Sequence, residues 1–246
     1  MNILETKSYN VAVNAKGDPS ATKVAILMPG RLDTKDYANF VSHIEFLSNL
    51  GFYAIAIDVP GTWDSPGDVE DYTTSKYLKV TNELIDVLGN RQTLLLGHSR
   101  GGATAQLASH NPAVVGLVLI NSAYGTPTSP DPKKIVNGAL IESRDVPPGN
   151  TRTKEQRLFN LPLAYFEDGS KHNIIGSLLD FKGPKLVVHA TRDEFEPLEN
   201  VKSIYESLIE PKMFLEIDCT HDYRLYPEIV KSVETTLGVF IQKYMP

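Results

Sequence analysis

The feature that most constrains the fold of this chain is a repeated alternation of short apolar runs and longer amphipathic segments. The runs are almost continuously aliphatic, which is typical of parallel strands covered by helices on both faces of a sheet. Between the runs, apolar residues recur at helical spacing, as at Phe40, Ile44 and Leu47. Strands are predicted over residues 24–28, 53–57, 93–96, 115–120, 185–190 and 213–217.

This alternation predicts an α/β fold on a mostly parallel sheet, with a possible antiparallel strand at residues 9–13. The chain has 246 residues, a length that one α/β domain commonly reaches. Helices are expected on both faces of the sheet, near residues 40–50, 78–88, 102–109, 201–208 and 229–240.

The alternation is interrupted over residues 123–183. Residues 126–132 and 146–150 are rich in proline and predict loops, and residues 135–141 and 158–166 are predicted as short helices. A connection of this length is typical of a lid or another functional insertion. We therefore expect a core domain of residues 1–122 and 184–246, with a small helical cap over residues 123–183.

Composition argues against several classes of protein. The net charge is −6, which provides no general attraction to nucleic acid. The single cysteine, Cys219, forms no intrachain disulfide and builds no cysteine-based zinc site. The first residues lack the apolar run of a signal peptide, and the longest apolar runs are too short to span a bilayer. We expect a cytoplasmic monomer or homodimer that binds neither nucleic acid nor membranes.

The strongest functional signal is the pentapeptide Gly-His-Ser-Arg-Gly at residues 97–101, which matches the pattern G-x-S-x-G. It follows a predicted strand and precedes a predicted helix, which is the setting of a nucleophile elbow. Small residues flank the serine because the backbone turns sharply there. The elbow would present Ser99 at the carboxyl edge of the sheet, where open α/β sheets bind ligands.

A serine nucleophile needs a histidine base that is itself oriented by an acid. In chains with this elbow, the acid follows the serine and the histidine comes last. Asp193 follows the strand at residues 185–190, and His221 follows the strand at residues 213–217. Glu194 and Glu196 are the competing acids, and Asp193 is favoured because a short side chain beside the strand end is held more rigidly.

The transition state of acyl transfer also needs two donors for its oxyanion. The backbone N–H of Arg100, directly after the serine, is the first expected donor. The second should come from the loop after residues 24–28, where the N–H of Arg31 is preferred and that of Leu32 is the alternative.

At this point the chain resembles the α/β-hydrolase family, from residue 24 to residue 240. The resemblance rests on the elbow, on Asp-Val-Pro-Gly at residues 58–61 with Ser65, and on Gly30-Arg31, which is similar to the family's oxyanion loop. Two positions depart from the family's pattern: Pro29 replaces its histidine, and Trp63 replaces a glycine. The resemblance implies an eight-stranded sheet, a cap after the sixth strand, and acyl transfer to water by Ser99, His221 and Asp193 without a metal or cofactor.

The expected activity is hydrolysis of a small-molecule carboxylic ester through an acyl-enzyme on Ser99. A substrate pocket is expected to include aromatic and aliphatic residues of the cap and its surroundings, although packing within the cap explains them equally well. These candidates are Leu32, Trp63, Tyr124, Phe159 and Tyr165.

Three alternatives remain open at this point. The same fold supports amidases or peptidases and lactonases, and it also supports non-hydrolytic receptors for small molecules. Arg100 could recognise a carboxylate, although an arginine at a helix start more often pairs on the surface. Cys219 is expected to be a passive packing residue, and His98 to support the elbow.

Overall fold

The structure is a computed structural model that describes residues 2–245. The described chain contains eleven strands, namely β1 (Asn2–Glu5), β2 (Asn10–Lys16), β3 (Lys23–Met28), β4 (Tyr53–Ile57), β5 (Gln92–His98), β6 (Val114–Ile120), β7 (Ile135–Val136), β8 (Ala139–Asp145), β9 (Gln156–Pro162), β10 (Lys185–Ala190) and β11 (Lys212–Ile217). Eight of them form one sheet in the order β1–β2–β4–β3–β5–β6–β10–β11. β2 pairs antiparallel with β1 and β4, and all other neighbours in this sheet are parallel. The predicted eight-stranded, mostly parallel sheet is confirmed.

Seven α-helices are described, namely α1 (Ala38–Asn49), α2 (Thr74–Val87), α3 (Arg100–Ala108), α4 (Leu163–Gly169), α5 (Ile174–Asp180), α6 (Leu198–Ser207) and α7 (Pro227–Tyr244). α1 and α7 cover one face of the large sheet, and α2, α3 and α6 cover the other. β3 shows why its sequence is continuously apolar. Val24 and Ile26 are buried in one core cluster, and Ala25 and Leu27 are buried in the opposite one, since successive side chains of a strand alternate between faces.

The parallel arrangement decides where the functional side chains meet. β5, β10 and β11 run in the same direction, so their carboxyl ends lie along one edge of the sheet. The loops that follow these strands carry Ser99, Asp193 and His221.

The insertion differs from the predicted helical cap. Residues 135–141 and the first part of 158–166 are not helical, because β7, β8 and β9 form a three-stranded antiparallel sheet. Asn137 and Gly138 turn the first hairpin with φ of 51° and 78°, a pair of positive values that Asn-Gly adopts readily. Phe159 and Leu161 are buried while Asn160 between them is exposed, which is the burial period of a strand. The domain boundaries at residues 123 and 183 stay predictions.

Candidate active site

Ser99 lies at a strained turn between β5 and α3. Its φ of 52° and ψ of −121° are unusual for a residue with a side chain. Two backbone hydrogen bonds hold it there: the Ser99 N–H donates to the Ile120 carbonyl at 3.1 Å, and the Ser99 carbonyl accepts from the Ala123 N–H at 3.1 Å. Strain that the surroundings enforce in this way is a common feature of functional sites.

The glycines of the pentapeptide are required by close approaches of the backbone. A Cβ atom at Gly101 would lie 2.0 Å from the carbonyl oxygen of Met28. A Cβ atom at Gly97 would lie 2.4 Å from the backbone nitrogen of Gly102. The pattern G-x-S-x-G therefore reflects the tight packing of the elbow against α3 and the end of β3.

His221 and Asp193 form a hydrogen-bonded pair. The His221 Nδ1 lies 2.7 Å from Asp193 Oδ2. The other carboxylate oxygen, Oδ1, accepts from the N–H groups of Phe195 at 2.8 Å and Glu196 at 3.1 Å. Burial alone would raise the pKa of Asp193, but the hydrogen bond and charge of His221, together with these N–H groups, hold it below its ordinary value. Asp193 is therefore a rigidly held, ionised partner for the ring.

The two competing acids have other contacts. Glu194 Oε2 accepts the backbone N–H of His221 at 3.1 Å, so this carboxylate supports the loop and not the ring. Glu196 Oε1 accepts from the Asn200 side chain at 3.0 Å. Within residues 2–245, Asp193 is the carboxylate recorded at the His221 ring.

The backbone of the His221 loop is anchored by Asn121, which the sequence did not single out, and by His98, which was expected to support the elbow. The Asn121 side chain donates to the His221 carbonyl at 2.9 Å. His98 Nε2 donates to the same carbonyl at 3.1 Å, and its Nδ1 lies 3.4 Å from Asp33 Oδ2. Burial lowers the pKa of His98, but Asp33 outweighs it and raises the pKa overall. His98 thus supports the histidine loop as well as the elbow.

The loop after β3 lies directly against the nucleophile. A Cβ atom at Gly30 would be 3.1 Å from Ser99 Cβ, so this position admits only glycine without a shift. The N–H of Leu32 donates to the Tyr72 hydroxyl at 3.0 Å. This alternative oxyanion donor is therefore already engaged, and the N–H of Arg31 remains the preferred candidate.

Ser99 and His221 line a cavity of about 970 Å³ between the sheet edge and the insertion. Of the five residues expected in the substrate pocket, Tyr124 lines this cavity. The other four do not, because they pack against one another and against Tyr72 where the insertion meets the core. The Trp63 indole donates to the Leu32 carbonyl at 2.8 Å and meets Phe159 edge to face at 5.6 Å, and Tyr165 stacks on Tyr72 at 5.5 Å. These contacts correct the expectation for Leu32, Trp63, Phe159 and Tyr165.

Many charged side chains line the cavity beside the aromatic residues Tyr124, Phe166 and Phe195. Most of these arginines are paired: Arg31 lies 2.9 Å from Glu142, and Arg144 lies 3.0 Å from the same carboxylate. Arg224 Nη2 lies 2.7 Å from Asp145 and 3.6 Å from Asp222. Arg224 therefore pairs with both acids, and its side chain is buried.

Cys219 is buried in the core, and burial raises the pKa of its thiol to about 12. The thiol therefore stays protonated and packs passively. No group of three or more His, Cys, Asp or Glu side chains that could hold a metal ion occurs within residues 2–245.

No described helix is long and apolar enough to cross a bilayer. The expected cytoplasmic location stays a prediction, since a bovine relative described below is named as mitochondrial.

Two solved structures share this fold across nearly the whole chain. Est1E from Butyrivibrio proteoclasticus, solved with ferulic acid bound, superposes with a TM-score of 0.74 at 18% identity, covering 98% of this chain and 100% of that one. The mouse alpha/beta hydrolase domain-containing protein 10 superposes with a TM-score of 0.74 at 19% identity, covering 98% of each chain.

Two curated relatives match by sequence. Bovine (Bos taurus) mitochondrial palmitoyl-protein thioesterase ABHD10 is 22% identical over 203 residues. The match covers 81% of this chain and 66% of the bovine protein, so the chain spans just under two thirds of that relative's length. A 2-hydroxy-6-oxononadienedioate/2-hydroxy-6-oxononatrienedioate hydrolase from Klebsiella pneumoniae is 22% identical over 247 residues, covering 87% of this chain and 85% of that protein.

The match to a protein family rests on most of the chain. Residues 26–232 fit the family model described as the alpha/beta hydrolase family. This range includes the elbow at residues 97–101, the loop after β3 and both members of the Asp193–His221 pair. The chain belongs to the alpha/beta hydrolase family.

Proposed function

We propose that this protein is a serine hydrolase that cleaves a small-molecule carboxylic ester through an acyl-enzyme on Ser99. The observation that carries the proposal is the 2.7 Å bond between His221 and Asp193, next to a cavity that His221 shares with Ser99. A serine on a strained elbow, a histidine and a buried acid are the three groups that such chemistry requires.

The hydrogen bond to Asp193 assigns a role to each nitrogen of His221. With Nδ1–H donated to the carboxylate, Nε2 is left as the basic nitrogen. Nε2 takes the hydroxyl proton of Ser99 as its oxygen attacks the ester carbonyl, and the ionised Asp193 stabilises the resulting imidazolium. His221 returns that proton to the leaving alcohol. It then activates a water molecule that releases the acid from Ser99.

The oxyanion is stabilised by two backbone donors in this proposal. The N–H of Arg100 lies at the first turn of α3, where the backbone N–H groups have no carbonyl partner within the helix. The N–H of Arg31 follows Gly30, where an added Cβ atom would lie 3.1 Å from Ser99 Cβ. Donors that are already in place when the charge develops give most of the stabilisation in acyl transfer.

The cavity supports a small polar ester better than a long acyl chain. Its wall contains charged residues from both the core and the insertion, whereas a long aliphatic chain gains affinity from apolar surface. The thioesterase relatives favour a thioester as the second candidate. The chemistry on Ser99 is the same in both cases, and only the leaving group differs.

The proposal is tested by labelling the folded protein with a fluorophosphonate and measuring the intact mass. One adduct is expected on the wild type, at Ser99 by peptide mapping, and none on Ser99→Ala or His221→Ala. Ser143→Ala is the matched control because Ser143 lines the same cavity, and this variant should still be labelled. The absence of an adduct on folded wild-type protein, or an adduct that persists in Ser99→Ala, would refute the proposal. A panel of short esters, thioesters, lactones and amides then identifies the leaving group.

A further inference from the structure

Arg100 differs from the other arginines of the cavity wall in lacking an acidic partner. Arg31, Arg144, Arg152 and Arg224 each have a carboxylate within 4 Å. No ion pair of Arg100 occurs among the described residues, although Arg100 lines the same cavity and is only 9% exposed. A buried charge without a counter-charge is costly.

The guanidinium of Arg100 is held by neutral acceptors. Nη1 donates to the Gly125 carbonyl at 2.9 Å, and Nη2 approaches the Thr74 hydroxyl at 3.3 Å. Gly125 belongs to the cavity wall, so the bond to its carbonyl holds the guanidinium beside that wall, whereas Thr74 lies outside the lining. Because a guanidinium has five N–H groups, donors remain for a planar anion.

A second polar group that lines the cavity, with its hydroxyl on the side of the Asp193 loop, also lacks a hydrogen-bond partner. Tyr124 precedes Gly125, lines the cavity and is 5% exposed, yet its buried hydroxyl has no hydrogen-bond partner. Burial raises the pKa of this hydroxyl well above its ordinary value, and Glu196 and Asp193 raise it further, so the group stays a donor. Buried polar groups of folded proteins are nearly always satisfied, and one that is not calls for an explanation.

The distribution of negative charge also favours an anion at Arg100. Asp33, Glu142 and Asp145 line the cavity but are neutralised by arginines. Glu194 and Glu196, on the loop that carries Asp193, and Asp131, on the insertion, line the cavity without a basic partner among the described residues. Arg100 is therefore the arginine of the cavity wall whose charge no carboxylate neutralises, and it is the one left for an anionic ligand.

From these observations we infer that Arg100 binds a carboxylate of the substrate, so the ester that this cavity accepts is anionic. The inference rests on the proposed function, because it names the substrate class of the same site. The carboxylate could be carried by the acyl part or by the alcohol part, and the two are distinguished by the choice of substrate.

The test compares esters that differ only in one negative charge. For the acyl part, the pair is the 4-nitrophenyl monoester of adipic acid and the same compound with its free carboxylate methylated. For the alcohol part, the pair is 4-acetoxybenzoate and methyl 4-acetoxybenzoate. We expect kcat/KM to be at least 10-fold higher for the charged member of one pair, with most of the difference in KM. A ratio near 1 or below in both pairs would overturn the inference.

Three variants locate the effect. Arg100→Gln should lower the charged-to-neutral ratio to about 1, and Arg100→Lys should keep part of it, since an ammonium retains the charge but not the planar fork. Arg152→Gln is the control: it removes a cavity arginine that already pairs with Asp145 and Asp222. If Arg152→Gln lowers the ratio as much as Arg100→Gln, the preference comes from the general field of the cavity and the inference is wrong.

Failure of this inference is distinguishable from failure of the proposed function. Fluorophosphonate labelling of Ser99 together with turnover of the neutral esters, without a preference for the charged ones, overturns the carboxylate site alone. If Ser99 is not labelled, binding of free adipate and of 4-hydroxybenzoate by calorimetry still decides. If either compound binds the wild type and Arg100→Gln abolishes that binding, the site is supported. If neither compound binds, the inference is overturned.

Discussion

The core sheet and the insertion hold their sides of the cavity by different interactions. On the core side, the positions of Ser99, Asp193 and His221 follow from strand ends, tight glycine packing and backbone hydrogen bonds. On the insertion side, side chains make the attachment. Asp145, at the end of β8, accepts from Arg224 at 2.7 Å, and its carbonyl accepts from the Tyr37 hydroxyl at 2.8 Å.

A second side-chain attachment lies at the other end of the insertion. The carboxylate of Asp168 accepts from the N–H and the hydroxyl of Ser75, at 2.7 Å and 2.6 Å, at the start of α2. The difference teaches that the catalytic groups sit on backbone that packing fixes, whereas the insertion adds polar side-chain contacts to its apolar packing against the core.

The largest expected effect is on catalysis, from a change on the core side. Asp193→Asn keeps the size of the side chain but favours the wrong tautomer of His221. We expect kcat on 4-nitrophenyl acetate to fall about 10³- to 10⁴-fold, as for the corresponding change in other serine hydrolases. Glu194→Gln is the matched control, because Glu194 contacts only the backbone of His221, and it should cost less than about 10-fold. Equal losses in the two variants would contradict the assignment of the acid.

The second expected effect is on stability, from a change on the insertion side. Asp145→Ala leaves the buried guanidinium of Arg224 without its carboxylate, and removing one member of a buried pair costs about 3–5 kcal/mol. Asp218→Ala breaks another arginine–carboxylate pair, with Arg192 at 2.9 Å, but Asp218 is largely exposed. That control should cost about 1 kcal/mol or less. Urea unfolding measures the free energy lost in each variant. Similar losses in Asp145→Ala and Asp218→Ala would show that the Asp145 contacts do not fasten the insertion.

The smallest expected effect is on the pH dependence of stability, and it comes from a polar cluster within the core, between α1 and α7. Glu234 accepts from Ser42 at 2.6 Å and from Lys231 at 2.8 Å, and lies 3.2 Å from His43 Nδ1. Burial raises the pKa of Glu234, but His43, Lys231 and Ser42 outweigh it and lower the pKa from 4.5 to about 2.

Because the folded-state pKa of Glu234 is depressed, its contribution to stability is present above pH 4.5 and is lost as the pH falls towards 2. About 2 kcal/mol of the free energy of unfolding should disappear between pH 5 and pH 3 through this group alone. Urea unfolding at pH 5 and pH 3 measures the free energy of unfolding, and the difference between the two pH values should be correspondingly smaller in Glu234→Gln than in the wild type. The same pH-dependent loss of stability in both proteins would mean that Glu234 contributes no acid sensitivity. The polar cluster would then add nothing to the stability of the core beyond its apolar packing.

The regular part of the molecule was predictable because its signals are local. β4 and β10 coincide with the predicted runs at residues 53–57 and 185–190, since a strand that is buried on both faces is mostly apolar, although β10 also buries Lys185 and His189. β1 is different: Asn2–Glu5 is a short, largely exposed edge strand, and two polar and two apolar residues do not distinguish it from a loop.

The insertion was predicted less well, although one strong signal was available. Asn137-Gly138 is a strong indicator of a hairpin, whereas the alternation of Phe159 and Leu161 around Asn160 is weakened by the apolar Leu158. The aromatic residues near the cavity gave no such indication. An aromatic residue such as Trp63 or Tyr165 can line a pocket or pack in a core, and the sequence does not distinguish the two. Their contacts in the folded structure, with Leu32, Phe159 and Tyr72, show that they pack.

The sequence by itself determined the sheet, the elbow and the order of Ser99, Asp193 and His221, because apolar periodicity, glycine and strand ends act over a few residues. Only the tertiary structure decided which side chains support them. The side chain of Asn121 reaches the carbonyl of His221, 100 residues away along the chain. It also decided that Arg100 faces the cavity without an acidic partner, since the charge around a buried group depends on every element packed against it.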